Sequence, residues 1–264
     1  MVIRMRKQAL ITAGSKNTGF GIAMRLAKEG FDVHITSRNL DSAARASEEI
    51  QQAFPEINAY PYSLELRSVP DIERVFGEIK GNTQRLDVFV ANAADLGIGF
   101  DVYSTDEKAY DEVMDTNVKG TFFCCREAGR LMKDGGSMVL ISSVHSKGSV
   151  EGRSLYGISK VAVNGICKHL AYDLAPYGIR VNAIIAGAIH TDRWDSTDEC
   201  TAAARRKNYP LAREADIDEI AEAVCYLSSD SSRHVTGAEI TVDSGVLLPI
   251  LPYGNRKCFK RENY

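Results

Sequence analysis

The chain has 264 residues, 44% hydrophobic and 25% charged, which fits a folded globular protein with a true core rather than a disordered or fibrous one. A formal net charge of −3 leaves no electrostatic footprint for nucleic acid or an anionic membrane, and no apolar run is long enough to span a bilayer. Six cysteines (Cys124, Cys125, Cys167, Cys200, Cys225 and Cys258) form no CxxC pair and have no histidine at zinc-site spacing, so they read as reduced thiols, mostly on helix faces, with no metal expected.

The basic start, MVIRMRK, is followed by only a few apolar residues before a glycine-rich run. That is a first strand rather than an export signal, and the expected location is cytoplasmic. Residues 8–13 read as a short buried strand, 14–21 (GSKNTGFG) as a loop, and 22–30 as a helix with Gly30 as its C-cap. A strand at 32–37 is followed by Arg38 and a helix at 41–53, with Asp41 as its N-cap and Pro55 beyond its end. A third strand (58–64) and a helix (70–79) precede a fourth strand at 86–92, nearly all apolar, as in a parallel strand covered on both faces. Two helices (105–115 and 117–132), a strand (137–143), a helix (155–175) and a strand (179–185) follow. Residues 192–209 are polar, with one tryptophan and no strand pattern, and have the length of a lid. A helix at 216–228 and a strand at 238–242 complete the alternation. The pattern predicts an α/β fold: one Rossmann-type, doubly wound parallel β-sheet of about seven strands with helices on both faces, in a single domain over 1–248 with a tail at 249–264.

The glycine-rich turn between the first strand and first helix suits a pyrophosphate. Glycine lets backbone approach the phosphate, and the helix N-terminus presents N–H groups and a positive dipole end. The residue ending the second strand selects the dinucleotide, since an acid there binds a ribose 2′-OH. Here Ser37 and Arg38 stand instead. Arg38, with Lys16 from the glycine loop, suits a 2′-phosphate, so NADP(H) is expected over NAD(H). Tyr156 and Lys160 lie one turn apart on one helix face, with Ser143 thirteen residues before the tyrosine. An ammonium beside a phenol favours tyrosinate and makes the tyrosine a usable general acid/base.

Six motifs in order then resemble the short-chain dehydrogenase/reductase superfamily, over nearly all of residues 6–248. They are TAGSKNTGFG (12–21, like TGxxxGxG), ANAA (91–94, where NNAG is usual), Asn117 in DTNVKG, the set Ser143, Tyr156 and Lys160, RVNAIIAGAIHT (180–191, like RVNxIxPGxIxT) and TGAEITVDSG (236–245, like TGxxxxVDGG). The resemblance implies that Tyr156 protonates a substrate carbonyl, that Ser143 holds its oxygen, that Lys160 serves both the tyrosine and the nicotinamide ribose, and that Asn117 supports a proton-relay water. It also implies a cofactor site formed by Gly14, Ser15, Lys16, Gly19, Phe20, Gly21, Ser37, Arg38, Glu65, Leu66, Asn92, Ala93, Tyr156, Lys160, Gly187, Ile189 and Thr191. Asn92–Ala93 equally suits plain sheet-to-helix packing, and Asn117 a helix-interrupting core amide. The glycine loop is longer than the family pattern by one or two residues, as in enoyl reductases, but YxxxK argues against the divergent enoyl reductases. Ala91, Ala94, Ala186 and Ser244 replace residues usual in the motifs without removing a reacting group.

Substrate contacts are expected from Ser143, His145, Tyr156, Ala188 and Trp194. His145 reads equally as a solvent-facing loop residue and Trp194 as an anchor for the lid. The other histidines, His190 among them, read as structural or surface. No lysine/arginine cluster points to a carboxylate or carrier-protein substrate. The expected activity is NADP(H)-dependent interconversion of a ketone and a secondary alcohol, on a steroid- or bile-acid-type hydroxyl or a sugar/polyol. A 3-oxoacyl-(acyl-carrier-protein) reductase is the alternative, and a non-catalytic dinucleotide sensor or scaffold the alternative of another class. A homotetramer or homodimer is implied by the resemblance, with the tail either covering a neighbour's site or forming a loose end.

Overall fold

The computed structural model describes residues 6–195 and 197–248, so the segment expected as a tail and Cys258 lie outside the described residues. Strands β1 (Gln8–Ile11), β2 (Asp32–Ser37), β3 (Ala59–Ser63), β4 (Val88–Ala91), β5 (Gly136–Ser143), β6 (Ile179–Ala186) and β7 (Glu239–Val242) form one sheet in the order β3-β2-β1-β4-β5-β6-β7. Every pairing is parallel. The helices between them are α1 (Asn17–Lys28), α2 (Leu40–Ala53), α3 (Val69–Asn82), α4 (Glu107–Met114), α5 (Thr121–Leu131), α6 (Ser154–Leu174), α7 (Asp192–Asp195), α8 (Glu199–Arg206) and α9 (Ile217–Ser228). The expected Rossmann-type architecture is therefore present. No helix among the described residues is long and apolar enough to cross a membrane.

Two cores sandwich the sheet, and the strands' period of two sorts their side chains between them. Leu10, Phe89, Met138 and Leu140 face α3, α5 and α6. Ala9, Ile11, Val88, Val139 and Ile141 face α1, α2 and α9. Each fully buried Leu, Ile or Phe contributes roughly 1.5–3 kcal/mol by leaving water. Cys124, Cys125 and Cys167 fill the first core as free thiols. Pro61, which cannot donate to a ladder, sits in β3 at the sheet edge.

Several boundaries differ from the sequence reading. β1 stops at Ile11 because Ala13 turns left-handed (φ 50°), and α1 begins at Asn17, so Gly19, Phe20 and Gly21 belong to its first turns instead of a loop. The C-cap of α1 is Glu29, not Gly30 as expected; Gly30 is the next residue, and its left-handed φ of 83° turns the chain out of the helix. α2 is capped by Asn39, whose side chain accepts from the Ser42 N–H at 2.9 Å; Asp41 lies inside the first turn, where its charge favours the helix dipole. The two expected helices around residue 116 run on through a π-helical turn, Asp115–Gly120, that carries Asn117. The polar 192–209 segment holds two short helices, α7 and α8.

A closed polar network lies within this framework. His34, fully buried on β2, is stacked on Tyr60 with ring centroids 4.8 Å apart. Its Nδ1 is 3.0 Å from the Tyr62 hydroxyl and its Nε2 3.0 Å from Gln8 Oε1. Gln8 in turn donates to Asp32, and Asn82 donates to Tyr62. Every partner is satisfied by a neutral imidazole with its proton on Nε2. Burial accordingly lowers the His34 pKa to about 4. The unfolded chain takes up this proton near pH 6.5 and the folded chain only near 4, so the stability is complete above pH 6.5 and is lost as pH falls toward 4. In urea unfolding at pH 7, 5.5 and 4, wild type should lose roughly 3 kcal/mol more than His34→Gln over that range. Parallel losses in the two proteins would remove His34 as the cause.

Candidate active site

The sheet order reverses between β1 and β4, and in open α/β sheets the crevice at the C-terminal strand ends beside such a reversal is where ligands bind. Thr12 closes its floor: its hydroxyl accepts from the Asn92 and Ala93 N–H groups at 3.0 and 3.1 Å. The Asn92 amide donates to Thr12 O and Ala13 O at 3.1 and 3.3 Å. Asn92 and Ala93 thus brace the glycine-rich turn against β4, and packing and crevice lining are the same act. A Cβ at Gly19 would stand 2.2 Å from Ala13 O, so only glycine lets the first turn of α1 close onto the strand. No side chain caps α1, and its first turn carries no acid. Lys16 and Arg38 are exposed and form no ion pair among the described residues. A turn closed by glycine onto an uncapped helix end fits the pyrophosphate of a dinucleotide.

The remaining expected cofactor residues surround the same crevice. Ser37 Oγ accepts from the Asn39 N–H. Glu65 is taken up by Arg67, which grips both carboxylate oxygens at 3.0–3.1 Å and holds the Glu65 pKa below the usual carboxylate range. Its carboxylate is engaged here by the protein itself. The Gly187 N–H bonds Val242 O, and Ile189 bridges to Ala215. Thr191 is buried and accepts the Trp194 N–H through its carbonyl. Asp192 accepts from Asn17 Nδ2 at 3.1 Å, joining the segment after β6 to the start of α1.

Ser143, Tyr156 and Lys160 converge beside this crevice. Ser143 ends β5, buried, with its Oγ accepting from the His145 N–H at 3.3 Å. Lys160 is only 3% exposed; Nζ donates to Ile141 O at 2.7 Å and lies 5.6 Å from the centre of the Tyr156 ring. No carboxylate pairs with it among the described residues, and burial lowers its pKa to about 8. Asn117 is 1% exposed and its amide is engaged: Oδ1 accepts from the Asp95 N–H at 2.7 Å, while Nδ2 donates to Asp95 O and to Ser159 Oγ at 2.7 and 2.9 Å. Both amide donors are spent on structure, so contact with a relay water falls to the main chain of the π-helical turn or the second lone pair of Oδ1. His145, which the sequence left between substrate and solvent, stands edge-on to Tyr156, ring centroids 5.3 Å apart and interplanar angle 74°. Burial, with Arg153's charge, keeps its pKa below the ordinary value.

Trp194 is drawn into the 192–209 segment itself. Its ring carries Arg205 and Arg206 at 5.6 and 5.8 Å, the anchoring alternative of the sequence reading. His190 bridges Glu214 (3.1 Å) and Asp195 (3.0 Å), which raises its pKa. Glu214 is clamped by Arg206 as well, and its pKa falls to about 2. Ala188 accepts from the Ala215 N–H, so this segment is stitched to the stretch before α9.

Residues 13–247 match the family model described as enoyl-(acyl carrier protein) reductase. The 3-oxoacyl-[acyl-carrier-protein] reductase of Staphylococcus aureus is 31% identical over 251 residues, which cover 93% of this chain and 100% of that protein. The chain belongs to the short-chain dehydrogenase/reductase superfamily. A 3alpha-hydroxysteroid dehydrogenase of Mediterraneibacter gnavus is 27% identical over 90% of this chain and 95% of its own length. A mutant Serratia marcescens short-chain dehydrogenase/reductase superposes with a TM-score of 0.85 at 27% identity, covering 91% of this chain and 97% of that one. The protein is thus a superfamily oxidoreductase, of a kind that works with a nicotinamide dinucleotide.

Residues missed in the sequence hold this short-chain dehydrogenase/reductase site together. Ser159 accepts from Asn117 and donates to Tyr156 O at 2.8 Å. Ser142 donates to Asn164 Oδ1 at 2.6 Å, and Asn164 donates to Ser146 Oγ at 3.0 Å. The signal was present: Asn164 sits four residues after Lys160, a polar position on the buried side of α6. Lys160 itself burdens the fold. Its folded pKa lies below its unfolded one, so the folded state is penalised in full below pH 8, and wild type gains stability as pH rises from 8 to 10.5. Lys160→Met should therefore melt above wild type at pH 7, by up to roughly 3 kcal/mol before the unpaired Ile141 carbonyl is counted. The gain should shrink toward pH 10. A gain that does not change with pH would show that the buried charge is not its source.

Proposed function

We propose that this protein interconverts a ketone and a secondary alcohol with NADP(H), Tyr156 acting as general acid/base. The observation that carries the reading is the Lys160 ammonium, buried beside the Tyr156 ring with a main-chain carbonyl and no carboxylate as its hydrogen-bond partner. Tyr156 gives its proton to the carbonyl oxygen during reduction. Lys160 stabilises the tyrosinate left behind, an interaction strengthened by burial. Ser143 Oγ donates to the same oxygen and orients it. Asn117 holds the Asp95 loop and, through Ser159, the Tyr156 turn in register. The nicotinamide, when bound, supplies or accepts the hydride.

Gly14, Ser15, Gly19, Phe20 and Gly21 would hold the pyrophosphate, with Asn92, Ala93, Gly187, Ile189 and Thr191 along the crevice. Lys16 and Arg38 would take the 2′-phosphate; both are exposed and neither forms an ion pair among the described residues. A 3-oxoacyl carrier-protein substrate is the second reading, favoured by the name of the staphylococcal relative. A homodimer or homotetramer completes the proposal; Phe122 on α5 and Ile158 and Val161 on α6 are exposed apolar residues on helices that such a contact would cover.

A ketone panel with NADPH and NADH tests the reading. Tyr156→Phe should lower kcat/KM by about 10²–10⁴-fold while NADPH binding persists. No reduction of any ketone, with cofactor binding intact in both proteins, would leave a dinucleotide sensor. Arg38→Asp should weaken NADPH and shift preference toward NADH; unchanged NADPH affinity would overturn the cofactor assignment.

A further inference from the structure

Arg153 is the N-cap residue of α6, three residues before Tyr156, is half-buried, and acts electrostatically on His145, which packs against the Tyr156 ring. Its side chain crosses to the loop over the site, where Nη1 donates to Leu96 O at 3.1 Å. The two loops are tied together there by the Gly99 N–H to Gly152 O bond and by the Phe100–Arg153 bridge. A guanidinium has five N–H donors. Arg153 spends one on Leu96 O and forms no ion pair among the described residues. Arg180 is the contrast: also half-buried and without a carboxylate, it is satisfied by three main-chain carbonyls, Leu227 O, Ser229 O and Val235 O. The nearby acids do not neutralise Arg153. Asp95 Oδ1 takes the Gly97 N–H, Glu151 is exposed, and the first turn of α6 has no acid.

A second polar atom at this place lacks a partner. Three buried side-chain polar atoms among the described residues are unpaired: Ser47 Oγ, His145 Nδ1 and Ser228 Oγ. Only His145 is at the site, against the Tyr156 ring.

We infer that the substrate is an oxo acid, or the matching hydroxy acid, whose carboxylate is bound by Arg153 with His145 as a neutral hydrogen-bonding neighbour. The planar fork of a guanidinium matches a carboxylate, and one unpaired cation beside a neutral imidazole balances a single negative charge. Arg153 lies within one helical turn of Tyr156, so the carboxylate is a few bonds from the reacting carbonyl. The absence of a cationic cluster in the sequence therefore did not exclude an acid substrate: one arginine suffices where the fold leaves its donors open. This inference rests on the oxidoreductase reading for the position of the carbonyl.

The test compares 3-oxobutanoate and 3-oxopentanoate, each beside its methyl ester, as substrates with NADPH. Wild type should favour the acids by roughly tenfold or more in kcat/KM. Arg153→Gln retains a donor for Leu96 O without the charge, and Arg153→Met retains neither. Both should raise KM for the acids about tenfold or more while the esters change little. Equal use of acid and ester by wild type, or equal losses on both in the variants, overturns the assignment, as does full activity on the acids in Arg153→Gln. If neither acid nor ester is reduced, calorimetric titration of 3-oxobutanoate into the wild-type and Arg153→Met proteins decides separately. Binding that only wild type shows keeps the Arg153 site and counts against the ketone–alcohol chemistry proposed for Tyr156; no binding to wild type overturns the site.

Discussion

The arrangement depends on an ammonium held out of water with no carboxylate to meet it. Lys160 is buried at the meeting of β5 and α6, with the Ile141 carbonyl as its hydrogen-bond partner. Such a charge is expensive, and a well-packed apolar residue would be cheaper. A fold keeps it only if the surroundings are stiff enough to prevent escape to solvent. The surroundings are stiff. Ser142 and Asn164 tie β5 to α6 within one turn of Lys160, Ser159 ties α6 to the π-helical turn, and Asn117 ties that turn to the Asp95 loop. The result is a cation whose field is little screened, aimed at the neighbouring phenol.

A second buried titratable group shows a different use of the same physics. His34 is also removed from water, but all its partners are neutral-state partners, so its network fixes strand register at β1, β2 and β3 without adding a charge. Lys160 and His34 are both shifted by burial, downward in each case. In one the retained charge is the point; in the other the lost charge is.

Much of this was legible residue by residue. The alternation of strands and helices predicted the sheet because a covered parallel strand is apolar on both faces, and Val88–Ala91, within the nearly all-apolar run 86–92, is. The Tyr156–Lys160 pair was legible because four residues make one helical turn. Other features were not. α1 begins at Asn17 although propensity argues against a helix over TGFG, because closing that turn onto Ala13 O needs a glycine at 19. Trp194 turned inward to Arg205 and Arg206, a choice that depends on where α8 folds back. Asn117 could be placed on a helix but not on a π-helical turn, since the extra residue is absorbed by packing and not by any local signal.

By itself, then, the sequence determined the class of fold, the order of its elements, the glycine-rich turn and the spacing of the serine, tyrosine and lysine set. These follow from local periodicity and fixed spacings, which the chain carries without reference to distant residues. Tertiary structure alone decided which polar groups are left unsatisfied. Arg38 and Arg153 look alike in a sequence, as do Arg153 and Arg180. Only the fold spends the donors of Arg180 on carbonyls and leaves those of Arg153 open beside Tyr156. Whether a charge is neutralised is a property of residues brought together from far apart in the chain, and no spacing encodes it.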